Sequence, residues 1–423
     1  MPIQPLPPDM VARIAAGEVI ERPASVVKEL LDNALDAGAT QVTIEVAGGG
    51  VKLIRVVDNG CGIPADEVEA AFIRHATSKL TGADDLDRIT TLGFRGEALP
   101  SIAAVADVTL VSRPAVQVSG VALHLRDGRR LERRIIGCPP GTTVTVRDLF
   151  AGVPARRKFL KAPTTETGHI TALVAQYALA FPEVAFSVVV EGRRGLQTPG
   201  DGNLLGAVAE VYGVETARAL LPVGDSGAPA HRVAGYTSPP GVTRSGRGFL
   251  SFFINRRWVQ SRALAVAVEQ AYQGLLMTGR SPLAVLHLTL PYDEVDVNVH
   301  PAKREVRFER EREVFALVQR AVRSALVDAA PVPSFHPTAA MPQPAPGGLS
   351  SSVLSPQSSV LGLLPSERVL PDRRQAPAGA AAPPALPTPG RALPILRVVG
   401  QVSATYIIAE GPDGMYLVDQ HAA

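Results

Sequence analysis

Cysteine is nearly absent: Cys61 and Cys138 are the only two in 423 residues. That is too few for a disulfide framework, and they lack the paired spacing of a zinc site, so a reducing compartment is expected. No stretch reaches the roughly 18 consecutive apolar residues of a membrane span. The first twenty residues, MPIQPLPPDMVARIAAGEVI, also lack a basic segment followed by a long apolar run. A soluble, cytoplasmic protein without a membrane partner is the expectation. Charge of one sign is missing as well. With 42 basic and 40 acidic residues the net charge is +2, so any argument for nucleic acid must rest on local basic patches. The phosphate-binding sequence GxxxxGK followed by Ser or Thr occurs nowhere in the chain.

What is present is ordinary globular material, 46% hydrophobic and long enough for two or three domains. From Ser25 to about Ala37 the apolar residues Val26, Val27, Leu30, Leu31, Ala34 and Leu35 recur at helical spacing, with Pro23 as a start signal and Gly38 as a stop. QVTIEV alternates with period 2, AGGG supplies a turn and VKLIRVV reads as a second strand, which predicts a hairpin. GFRGEALPSIAAVA reads as a glycine loop opening a helix, and GTTVTVRDLF as a further strand. A second globular region is expected from Asn203, with a strand at FLSFFI, a helix over about Arg262–Leu276 and a strand in which Val295, Val297 and Val299 alternate with polar residues. Helix and strand are interleaved, so both regions are read as α/β. Residues 331–394 are dominated by Pro, Ala, Ser and Gly and read as a flexible linker. Residues 395–423 look like strands around a GPDG turn, the start of something longer.

Three constellations carry candidate chemistry. Glu29 and Asn33 stand four apart on one predicted helix and share a face. A carboxylate there can polarise a water for attack on a phosphoryl group, and an amide oxygen suits the hard cation Mg2+. Taken alone, the pair also describes a solvated helix face. Asp58 ends an apolar strand and opens DNGCG, where its carboxylate could accept from an exocyclic amino group such as that of adenine while Gly60 and Gly62 let backbone approach a flat ring. A plain turn reads the same way. Gly93 to Gly96 precede the helix ALPSIAAVA, and a helix N-terminus flanked by glycines binds phosphate readily. Arg95 and Lys79 add positive charge there.

In order, the Glu-xxx-Asn helix, the Asp-x-Gly-x-Gly strand end, GFRGEAL and GTTV resemble the GHKL ATPase superfamily. The runs IAAGEVIERPASVVKELLDNALDAG, GFRGEALPSI, PARRKFLK and DVNVHPAKREVRF resemble its MutL mismatch-repair family over about residues 8–330. The resemblance implies a Mg2+-dependent ATPase, with residues 1–202 forming the ATPase domain and 203–330 a smaller transducer domain. It implies Glu29 as general base, Asn33 as Mg2+ ligand, and Asp58 at adenine with Thr143 assisting. Thr77, Ser78 and Lys79, with Gly93, Phe94, Arg95, Gly96, Glu97, Ala98 and Leu99, would form the lid over the phosphates of ATP. Lys303 would reach the γ-phosphate from the transducer domain.

The resemblance further implies a homodimer that closes on ATP, a MutS-type partner, and DNA bound without sequence preference. INRRWVQSR makes Arg257 and Arg262 the preferred DNA contacts. DQHAA resembles the start of a metal-dependent nuclease motif, with Asp419 and His421 as metal-site residues and the rest of the motif beyond Ala423. Residues 395–423 would then be the incomplete start of a dimerisation domain. Two alternatives stay open. A gyrase-like ATPase would need a nucleophilic tyrosine domain or partner, and a scaffold that binds ATP or DNA without turnover would show no hydrolysis.

Overall fold

In a computed structural model of the protein, residues 16–17, 19–79, 91–93, 96–224, 230–277, 279–296, 306–329, 397–402, 406–411 and 414–419 are described. Helix α1 (Pro23–Asp36) begins where Arg22 is extended and Pro23 presets the helical φ. It buries Val26, Val27, Leu30, Leu31 and Ala34 and stops at Ala37, after which Gly38 turns the chain at φ +71°. Strands β1 (Gln41–Ala47) and β2 (Leu53–Asp58) form the expected antiparallel hairpin around a short turn at Gly48–Gly50. Val42, Ile44 and Val46 are buried and their neighbours are not, so one face of the ladder meets the core.

The hairpin continues into an eight-stranded sheet with β3 (Asp107–Arg113), β4 (Gly120–Arg126), β5 (Arg129–Ile136), β6 (Gly141–Arg147), β7 (Ala185–Val190) and β8 (Arg193–Gln197), in the order β5-β4-β3-β6-β2-β1-β7-β8. Neighbours pair antiparallel except β1 and β7, which run parallel. Helices α2 (Ala98–Val105), α3 (Pro154–Phe159) and α4 (Pro163–Ala180) follow, and α1, α2 and α4 contribute Leu31, Ile102 and Val174 to the core beneath this sheet.

Beyond it come α5 (Leu204–Tyr212), α6 (Val214–Ala219), β9 (Leu221–Val223), β10 (Arg232–Thr237), β11 (Thr243–Ser245), β12 (Leu250–Ile254), β13 (Arg257–Val259), α7 (Arg262–Ala271), β14 (Arg280–Pro282), β15 (Ala284–Thr289), β16 (Val295–Asp296), β17 (Arg307–Phe308) and α8 (Glu311–Ala329). A five-stranded sheet, β13-β12-β15-β10-β9, is buried on both faces. Phe252, Ile254, Leu286 and Leu288 pack against Leu264, Val268, Val318 and Val322 of α7 and α8. The alternate residues Phe253 and Val285 join the first core instead. Asn203 caps α5 by accepting from Gly206 N at 3.2 Å. Ala207, Val208 and Ala217 of α5 and α6, just past residue 202, are buried with the first sheet.

The helix expected over 262–276 ends at Ala271. The strand expected at 295–299 is described only at Val295–Asp296; Lys303, Phe94, Arg95, His421 and the 331–394 linker lie outside the described residues. At the C-terminus, β18 (Arg397–Val402), β19 (Tyr406–Gly411) and β20 (Gly414–Asp419) form an antiparallel meander of their own, with Gly411 opposite Gly414 at the expected turn. The architecture is mixed α/β. Among the described residues no helix is long and apolar enough to cross a membrane.

Candidate functional site

A cavity of about 700 Å³ opens between α1, the strand ends of β2 and β6 and the segments before α2. Glu29 and Asn33 face it from α1, one turn apart, because the buried stripe of that helix points the other way. Asp58 and Gly62 line it from the end of β2. Thr77, Ser78 and Lys79 line it from one side of the lid region, and Gly93, Gly96, Glu97, Ala98 and Leu99 from the other. Residues scattered over seventy positions thus meet around one space.

Asp58 Oδ1 accepts from Gly60 N at 2.9 Å and from Thr142 N at 3.2 Å. Burial pushes its carboxyl above the usual range, against the pull of those two amides. Both donors fall on Oδ1, so among the described residues Oδ2 is left without one. Gly60 itself does not line the cavity. It serves through its amide, and a Cβ there would meet Ala37 Cβ at 2.8 Å.

Thr143 is a correction. In register β6 sets Thr142 opposite Asp58 and Thr143 opposite Val57. Side chains alternate along a strand, so Thr142 and Val144 line the cavity and Thr143 does not. Thr142 Oγ1 is also 2.8 Å from Ser112 Oγ.

Asp36 is the residue that sequence reasoning missed. Its Oδ1 accepts from Leu92 N at 2.9 Å, and its Oδ2 from Gly93 N at 3.0 Å and Lys79 Nζ at 2.6 Å. The same ammonium donates to Asn33 Oδ1 at 2.9 Å. One carboxylate therefore ties both flanks of the lid to α1. The signal was in the helix period, since Asp36 stands three residues after Asn33 and seven after Glu29.

Behind Glu29, Lys28 Nζ lies 3.2 Å from Glu29 Oε1 and 2.8 Å from Asp32 Oδ2. Burial works against the ammonium, but the Asp32 and Glu29 carboxylates outweigh it and push the pKa up to about 12. The hydroxyl of Tyr177 donates to Asp32 Oδ1. Burial, then the charges of Asp32 and Glu29, hold that phenol well above its ordinary pKa.

Gly96 sits at φ +62°, and a Cβ there would come within 2.5 Å of Ala76 O. We expect Gly96→Ala to force the two flanks of the lid apart. The left-handed backbone alone costs about 1–2 kcal/mol for an L-residue. Nucleotide affinity should fall at least about tenfold, read by calorimetric titration with ADP; unchanged affinity would show that the close approach is dispensable.

Arg257 and Arg262 part company. Arg262 is exposed at the start of α7, whereas the Arg257 guanidinium turns inward and donates to Thr91 O at 2.9 Å and Leu92 O at 3.4 Å. Among the described residues no group of three or more His, Cys, Asp or Glu side chains could hold a metal ion.

A family model described as "Histidine kinase-, DNA gyrase B-, and HSP90-like ATPase" matches residues 20–133, "DNA mismatch repair protein, C-terminal domain" matches 208–327, and "MutL C terminal dimerisation domain" matches 399–423. The chain is 44% identical to the DNA mismatch repair protein MutL of Desulforudis audaxviator (strain MP104C), over 100% of its own length and 72% of that protein's. The MutL of Symbiobacterium thermophilum is 43% identical over 97% of this chain and 72% of its own. Among solved structures, the N-terminal domain of a DNA repair protein superposes with a TM-score of 0.64 at 27% identity, covering 75% of this chain and 98% of that one. The Aquifex aeolicus MutL ATPase domain complexed with ADP does so with a TM-score of 0.50 at 34% identity, covering 64% and 93%. With an ATPase fold at its N-terminal side and mismatch-repair relatives along its whole length, the chain belongs to the MutL family of DNA mismatch repair proteins.

Proposed function

We propose that the large cavity binds ATP with Mg2+ and hydrolyses it slowly, as the switch of a mismatch-repair protein. The observation that carries this reading is the convergence of Glu29, Asn33, Asp58 and both lid flanks on one cavity of about 700 Å³. Asp58 Oδ2 accepts from the adenine amino group, and Gly62 lets backbone lie close to the ring. The first turn of α2, whose N-terminus has no side-chain cap, offers its amides to phosphate together with Lys79. The donor set fits Mg2+: Asn33 Oδ1 already faces an ammonium at 2.9 Å, and this cation keeps waters and phosphate oxygens as its other ligands rather than needing a cage of carboxylates. Bound Mg2+ supplies charge neutralisation across the phosphate oxygens. Glu29 takes the proton of the attacking water as the new bond to the γ-phosphorus forms and the bond to the ADP oxygen breaks. Lys303 is assigned to the γ-phosphate by the family resemblance alone.

Binding energy spent on ordering the lid is the signal. It closes a homodimer of these domains, and hydrolysis reopens it, coupling a MutS-type mismatch-recognition protein to excision in the cytoplasm. The test is steady-state phosphate release by the wild-type chain with Mg-ATP and with ATP in EDTA, with nucleotide binding measured in parallel. Slow release that needs Mg2+ is expected. Binding without release would favour the non-hydrolysing scaffold and remove Glu29 from its role.

DNA contact falls to Arg262, exposed and beside no acidic partner on its own turn. Arg262→Glu should weaken binding to duplex DNA and lower the salt slope by about 1–2 phosphates' worth, leaving DNA-free ATP hydrolysis intact. A salt titration indistinguishable from wild type would remove Arg262 from the interface.

A further inference from the structure

A second cavity, of about 30 Å³, shares Lys28 with the large one and is also lined by Asp32, Leu92, Tyr177, Arg257 and Trp258. Four parts of the chain that are remote in sequence meet there: the back of α1, α4 through Tyr177, the segment leading into Gly93, and the β12–β13 hairpin of the second sheet. The hairpin turns through Asn255 at φ +47° and Arg256 at φ +69°. Two consecutive left-handed residues make a tight two-residue turn and fix which side chain faces which way. Arg256 is ion-paired to Glu183 and lies 4.4 Å over the Phe181 ring. Arg257, the first residue after the turn, reaches the carbonyls of Thr91 and Leu92.

The peptide units from Thr91 to Gly93 are thereby held along both edges. Their amides are bonded to Asp36 of α1, at 2.9 Å from Leu92 and 3.0 Å from Gly93. Their carbonyls are bonded to Arg257, at 2.9 Å for Thr91 and 3.4 Å for Leu92. The planar guanidinium reaches the two successive carbonyls from two different nitrogens, a fixed fork that the single nitrogen of a lysine does not reproduce. The grip lies within the sequence that continues as Gly93–Leu99, the flank that lines the large cavity.

We propose that Arg257 is a positioning residue of the ATP site rather than a DNA contact: the second sheet, through this side chain, sets how the 91–93 segment enters the lid. The inference rests on reading the large cavity as the nucleotide site. It makes the 91–93 segment answerable to two elements, α1 through Asp36 and the second sheet through Arg257, so a shift of the β12–β13 hairpin changes nucleotide retention without touching Glu29.

The experiment uses Arg257→Ala and Arg257→Lys in the full chain. Amide hydrogen exchange, without nucleotide, should show Leu92 and Gly93 losing protection in both variants while the β1–β2 hairpin keeps it. With nucleotide, KM for ATP and Kd for ADP should rise roughly tenfold, with a smaller fall in kcat, as expected when charge-assisted hydrogen bonds holding a closing segment are lost. DNA binding measured without nucleotide should stay at the wild-type level. If Arg257→Ala does not fold, Arg257→Lys carries the test. Wild-type protection at residues 92–93 in Arg257→Lys, or reduced DNA binding with unchanged nucleotide affinity, overturns the proposal. A wild-type chain that binds no nucleotide would overturn the ATP reading instead, and the exchange result would still decide whether Arg257 anchors the segment.

Discussion

With Glu29 replaced by alanine, phosphate release from ATP should fall by roughly 10²–10⁴, the range that general-base help supplies, while ATP and ADP still bind. The separation is expected because Glu29 faces the cavity from the middle of α1, whereas the end proposed for adenine is built by Asp58, Gly60 and Thr142 on the strands. Removing the carboxylate does not strand a charge behind it. Lys28 keeps Asp32 at 2.8 Å, so the helix should remain folded, and a thermal melt within a few degrees of wild type would confirm that. Glu29→Gln, which keeps the shape and removes only the basicity, should be as inactive as the alanine variant. Release by Glu29→Gln at a rate close to wild type would mean that water is activated by something else.

Asp32→Ala should act on the other side of the ledger, on stability. Asp32 is 3% exposed and holds both Lys28 Nζ and the Tyr177 hydroxyl. Losing a hydrogen bond to a charged group costs about 1.5–3 kcal/mol, and breaking a buried ion pair by removing one partner costs about 3–5 kcal/mol. Lys28 retains Glu29 at 3.2 Å, so a loss of about 3 kcal/mol is expected in urea unfolding, between those figures. The pH dependence has a definite sign. Lys28 is raised from 10.5 to about 12 on folding, so its contribution is complete below pH 10.5 and is lost only as pH rises through about 12. The Asp32→Ala penalty should accordingly be the same at pH 6 and pH 9. A penalty below 1 kcal/mol, or one that fades between those values, would show that the buried carboxylate is not what holds Lys28 charged.

Much of this was legible in the sequence because it is local. The apolar stripe from Val26 to Ala34 and the prolyl start at Pro23 gave α1 nearly to the residue. The period-2 run from Gln41 and the glycine turn gave the β1–β2 hairpin. What stayed hidden depends on register and on contacts across the fold. Nothing in GTTV says whether Thr142 or Thr143 stands opposite Asp58, and a shift of one residue exchanges the faces. Asp36 shares the helix face of Asn33, but its importance lies in amides more than fifty residues away. Basic side chains in INRRWVQSR look alike in sequence. Only the fold separates Arg257, bonded to the Thr91 carbonyl, from the exposed Arg262. Nothing in the sequence shows that Ala207, Val208, Phe253 and Val285 share the first core.

The single parallel pairing in the first sheet, β1 beside β7, sets a timetable for the newly made chain. β1 emerges from the ribosome about 140 residues before its parallel neighbour, and α1 must wait for α4 before Tyr177 can reach Asp32. Until then the apolar side of α1 has no permanent cover, although the catalytic-looking residues Glu29 and Asn33 already exist. Late-closing pairings of this kind are slow to form and leave surface open to aggregation meanwhile. The nascent protein should therefore engage chaperones beyond the end of β8, and become fully resistant to protease only after Phe253 and Val285, which complete the first core, have been released.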